Sequence, residues 1–133
     1  MFENFFRRIS AYIGIHKIIH DKIPLLEPPS ESIDRKINEE VYRALEIGRN
    51  LLYLKKSKSD LVEDDKILLE DVAIKFLSFA YAYYKDKECL NGIRACKDTL
   101  KSNSYDTSIL DQSLPENIKR VREYKMFKES LLN

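Results

Sequence analysis

Apolar residues recur every three or four positions along almost the whole chain, and strict alternation never persists beyond a few residues. The pattern therefore predicts helices and no strands. Phe2, Phe5, Phe6, Ile9, Ile13, His16, Ile19 and Ile23 form one stripe over residues 1–23, widened by Ile15 and Ile18. Pro24 ends this amphipathic helix, because proline disfavours helical geometry in the residue before it. Residues 24–30, with Pro24, Pro28 and Pro29, read as a stiff extended link. A second helix starts with Ser30 or Ser32 as N-cap. Ile33, Ile37, Val41, Ala44, Gly48 and Leu51 give it a seam, and Leu45 and Leu52 broaden that seam into a core-facing stripe. The helix fades into Lys55 and Lys56, charges that suit a helix C-terminus.

Asp60 and Glu63 have the spacing of a capping box, with Asp in the place of Ser, at the head of a third helix reaching about Tyr84. From Ile67 to Tyr84 this segment is apolar on nearly every side, with Glu70, Asp71, Lys75 and Ser78 as a narrow polar strip. An element apolar all round is packed by several neighbours, so this helix (about 61–84) is expected to be central and buried. Asp86 is placed to cap a fourth helix whose inner face carries Cys89, Ile93, Cys96 and Leu100. Residues 102–113 are rich in Ser, Asn and Asp and read as a loop with one short helical turn. Ser113, Pro115 and Glu116 then announce a fifth helix, with Ile118, Val121, Tyr124, Phe127 and Leu131 inward. The expected fold is all-α: a single-domain bundle of about five helices, residues 31–133 forming the helical core behind the N-terminal helix and its link.

Composition narrows the functional classes without selecting one. The chain of 133 residues carries a net charge of +1, too balanced to steer the whole molecule onto nucleic acid or an anionic membrane. Charge is uneven along it, mildly acidic over residues 61–86 and mildly basic over 87–133. No apolar run is long enough to span a bilayer, and no secretory signal stands at the N-terminus, so the expected location is cytoplasmic. Cys89 and Cys96, seven residues apart on one helix, are separated by about 10.5 Å of axial rise, too far for a disulfide.

The candidate chemistry is thin. His16 and His20 have the i, i+4 spacing of two metal ligands, but no third ligand follows from the pattern. The acidic pairs lack the Glu-x-x-His motifs of a di-metal bundle, and no phosphate loop or nucleophile motif is present. No catalytic residue, metal or cofactor is assigned, and the chain reads as a non-enzyme. On the fourth helix Arg94, Lys97 and Lys101 share a face, and Arg122 and Lys125 belong to a basic crowd on the fifth; together they are the candidate phosphate contacts.

Two functions are weighed. The first is a non-catalytic protein–protein interaction or assembly subunit that binds another protein or itself, as a homodimer. Its partner-binding residues would be Phe2, Phe5, Phe6 and Ile9, on a helix of the kind that docks in a groove. The seam of the second helix is a further contact surface. The alternative is a small nucleic-acid-binding subunit of a nucleoprotein complex. Membrane binding by the N-terminal helix is the least favoured reading.

Overall fold

A computed structural model of the chain describes residues 32–132. All regular structure among them is helical: α1 (Ser32–Ser57), α2 (Glu63–Asp86), α3 (Leu90–Ser102), a 3-10 turn (Thr107–Asp111) and α4 (Leu114–Leu132). The helix expected over residues 1–23 and the proline link lie outside the described residues, as does Ser30; Ser32 is already helical.

α1 and α2 form an antiparallel hairpin. Ile37, Val41, Leu45, Leu51 and Leu52 of the α1 stripe are buried against α2 residues such as Leu69, Val72, Ala73 and Leu77. Small residues let the two backbones close in. A Cβ added at Gly48 would lie 2.8 Å from Leu77 Cγ and 3.1 Å from the Ala73 carbonyl oxygen. Most of the α1 seam is therefore consumed inside the fold.

α2 packs against every other described element. The Tyr81 hydroxyl donates to Asp111 Oδ1 at 2.7 Å, which fixes the 3-10 turn. The Tyr84 ring fills the space that a side chain at Gly92 of α3 would need. Arg122 of α4 donates twice to Asp86 Oδ1, at 2.5 and 3.1 Å. These contacts all gather on the C-terminal half of α2. The first turns are more open, and Ile67 and Leu68 are 58% and 40% exposed. Ser78, expected on the polar strip, is instead buried. Apolarity around the whole circumference did not translate into burial along the whole length, because α3, the turn and α4 cluster at one end.

Two capping expectations are corrected. α2 begins at Glu63 with Val62 in the cap position and no side-chain cap bond, so Asp60 closes no capping box. Glu63, Asp64 and Asp65 sit in the first turn instead, where negative charge offsets the helix dipole. Asp86 is the last residue of α2 and does not start α3. The chain turns at Lys87 and Glu88, the latter left-handed with φ 56°, and Cys89 takes the cap position of α3. The Cys89 amide donates to the Tyr84 carbonyl at 2.8 Å and seals the turn.

α4 shows a similar partial covering. Val121 is buried and Ile118 and Tyr124 are half-buried, but Phe127 and Leu131 of the same expected inner stripe are 57% and 65% exposed. Met126 beside them is also exposed. No described helix is long and apolar enough to cross a membrane.

Candidate functional site: an aromatic groove between α1, α2 and α4

Where α4 crosses the hairpin, three elements leave a groove of about 390 Å³ lined by Glu40, Ala44, Lys75, Phe76, Phe79 and Tyr124. Its position follows from the local sequence. Ala44 lies one helical turn before Gly48, on the side of α1 where the backbones are closest, so this wall is low. Phe76 and Phe79 are half-buried and pack against the core from its edge. Tyr124, three residues beyond the buried Val121, meets Phe79 edge-on with ring centroids 6.1 Å apart.

Glu40 holds the crossing together. Its carboxylate accepts a hydrogen bond from the Tyr124 hydroxyl, and its other oxygen lies 2.9 Å from Lys128 Nζ. Lys128 Nζ also stands 5.5 Å from the centre of the Tyr124 ring. Burial, and then the Glu40 carboxylate, raise the Tyr124 hydroxyl above its ordinary pKa; the same carboxylate raises Lys128. The trio thus sets a hydroxyl donor and an ammonium group on one shared carboxylate. The surface it frames has an aromatic floor and a polar rim, the arrangement that receives apolar side chains from an amphipathic helix.

A second polar cluster joins α1, α2 and the loop after α3. Lys55 Nζ donates to Glu70 Oε2 at 2.5 Å and to the Tyr105 hydroxyl at 2.8 Å, and that hydroxyl donates to Glu70 at 3.0 Å. The Lys55 hydrogen bond holds the Glu70 carboxyl below its ordinary value, and the Glu70 bond raises Lys55. The three side chains close a mutual triangle of hydrogen bonds, which marks a structural clasp.

The residues singled out in the sequence divide as follows. Phe2, Phe5, Phe6, Ile9, His16 and His20 lie outside the described residues. Arg94, Lys97 and Lys101 come together along one shallow cleft of α3 with Leu90, Ile93 and Asp98, and no described residue pairs with these three cations. Arg122 is set apart from them, committed to Asp86. Lys125 is half-buried on α4. Cys89 and Cys96 are both free and buried, and burial pushes the Cys96 thiol up to about 12. Among the described residues no three acidic, His or Cys side chains gather as a metal site.

Sequence spacing missed the Glu40–Tyr124–Lys128 junction and the groove it frames. Glu40 registered only as half of an acidic pair, and Lys128 only as one of many basic residues on its helix. A contact between positions 84 residues apart leaves no periodic trace. The one available signal was the excess of apolar surface on α4, which reaches past what a short bundle can cover. Comparisons with protein-family models, with curated proteins and with solved structures find no match to this chain.

Proposed function

We propose that this chain is a non-catalytic interaction or assembly subunit that takes up an amphipathic helix of another protein in the groove between α1, α2 and α4. The observation that carries this reading is the aromatic groove, together with the exposed Phe127 and Leu131 on the helix that supplies its Tyr124 wall. Scattered apolar side chains are normal on a surface, but here aromatic residues stand beside a preformed concavity. Within the same proposal, α2 is the central helix of a single-domain bundle of about five, residues 1–23 supplying the fifth, in the cytoplasm.

A photoreactive residue in place of Phe127, introduced in the native cells, tests it. One protein should be captured reproducibly, and capture should fall about tenfold when Phe79→Asp places a charge on the groove floor. The same photoreactive residue in place of Lys97, on α3, should not capture that protein. Equal capture from both positions, or indifference to Phe79→Asp, removes the reading.

A second reading has one observation in its favour: Arg94, Lys97 and Lys101 line one cleft and none pairs with a described residue. Such a row can meet successive phosphates, although Asp98 stands among them. It predicts that the chain binds single-stranded RNA with an affinity that falls steeply with salt. Replacing all three by Gln should flatten that dependence; no binding at low salt removes this alternative.

A further inference from the structure

We infer that copies of this chain join head to tail, the exposed start of α2 on one copy docking on the outer face of α3 on the next. Neither face contains a residue that lines the aromatic groove, so the inference goes beyond the reading of that groove and does not depend on it. It gives the basic row of α3 a second copy of the chain as partner, in place of RNA.

Each face sets exposed apolar side chains beside charge that the fold leaves uncommitted. On the first, Val62, Ile67 and Leu68 are 61%, 58% and 40% exposed. Glu63 and Asp64 stand among them, both exposed, and neither pairs with a described residue. Further along α2 carboxylates are already taken: Glu70 by Lys55, Asp71 by Lys75 and Asp86 by Arg122. On the second face, Leu90 is 69% exposed and Ile93 is half-buried, and they share one cleft with Arg94, Lys97 and Lys101. An acidic apolar patch and a basic apolar patch are complementary to each other. Within one copy both stay exposed; between copies they can cover one another. A net charge of +1 sets up no repulsion against such a meeting.

Spacing gives the contact a direction. Asp64 and Leu68 are one helical turn apart on α2, and Leu90 and Arg94 are one turn apart on α3. With Leu90 set on Leu68 and the helices antiparallel, Arg94 comes level with Asp64. Lys97 comes level with Leu61, two residues from Glu63. Asp98 falls level with the connection where Lys58 and Asp60 stand 3.6 Å apart. The parallel alternative sets Lys97 level with Lys75, like charge against like. Because the two faces differ, the contact is heterologous, and every assembly ends in one free acidic face and one free basic face unless it closes into a ring. The handful of side chains on each face is far fewer than the roughly 20–30 a side of a stable complex, so a single contact is weak and reversible.

Sedimentation equilibrium of the full chain tests this. From about 10 μM to about 1 mM protein the average mass should rise with concentration, and rise less at high salt, where exposed charges are screened. Leu68→Asp and Leu90→Asp each alter one exposed side chain on one face. Each should weaken self-association about tenfold while keeping the helical circular dichroism of the parent. Mixed in equal amounts, the two variants should form 1:1 pairs that stop at twice the monomer mass. The intact acidic face of the Leu90→Asp chain then meets the intact basic face of the Leu68→Asp chain, and no second sound contact is left. A chain carrying Asp64→Arg together with Arg94→Glu should associate more tightly than either single variant. A parent chain that stays monomeric throughout overturns the inference, whether or not α3 binds RNA. So does association indifferent to both leucine substitutions, which places the contact elsewhere. So does a mixture of the two variants that associates no better than either alone.

Discussion

Single side chains decide how tightly the second half of the fold closes on the first. Tyr84 is fully buried, and its ring lies where a Cβ at Gly92 would go. The ring is enclosed by the core and has nowhere to swing. Gly92→Ala removes the roughly 1 kcal/mol penalty of glycine in a helix. It also overpacks the α2–α3 contact, which costs about 1–3 kcal/mol. We expect net destabilisation, read as a lower urea midpoint at an unchanged slope; a raised midpoint would show that α3 can shift to make room. The Tyr84 hydroxyl has no hydrogen-bond partner among the described residues. An unsatisfied buried hydroxyl costs about 1–3 kcal/mol. Tyr84→Phe keeps the ring and removes that group, so the variant should be at least as stable as the parent. The buried Cys96, with its thiol raised to about 12, should resist iodoacetamide at pH 8 and react only once the protein is unfolded, as peptide mass spectrometry would show.

Among the elements, α1 and α2 were the most legible in the sequence. The burial of Ile37, Val41, Leu45, Leu51 and Leu52 was written in a stripe of helical period, and the helical break after Ser57 in a run of Lys and Ser. The caps were misread, because a cap depends on where the chain arrives from and not on one residue type. Asp86 looks like a cap by composition, yet Arg122 from α4 claims its carboxylate and the turn is made by Glu88 in a left-handed conformation. The groove was not legible at all, being the product of one helix crossing two others. Spacing within a helix records which face turns inward but not how far along that face its neighbour extends. The clasp of Lys55, Glu70 and Tyr105 gives a pH test at this scale. Glu70 has its folded carboxyl held below the ordinary value of 4.5, so its contribution is present above that value and is lost as pH falls through the folded one. Glu70 is more than a third exposed, so the contribution is expected to be only about 0.5 kcal/mol. Glu70→Gln should therefore lower the thermal midpoint slightly at pH 7 and converge with the parent toward pH 3; a gap of constant size across that range would rule out ionisation of Glu70 as its source.

The described molecule is held together through one shared partner. α1, α3, the 3-10 turn and α4 each pack on α2, while α1 and α4 meet mainly at the Glu40 junction. Loss of that junction should loosen α4 without dissolving the hairpin. Glu40→Ala leaves Lys128 and Tyr124 without their shared acceptor, and the amides of α4 should then exchange with deuterium faster while those of α2 between Leu77 and Tyr84 change little. Uniform acceleration across both helices would show that α4 is integral to a single cooperative unit.

The hairpin that supplies the largest single share of the contact between elements is closed by a connection of only five residues, Lys58 to Val62. During synthesis, therefore, the growing chain can complete its largest interface as soon as residue 86 clears the ribosome, before α3 and α4 have emerged. Contacts so near in sequence form quickly. The last third of the protein then settles onto a surface already made, and arrested chains ending a tunnel's length beyond Asp86 should already resist trypsin within α1 and α2 better than chains arrested before α2 has emerged.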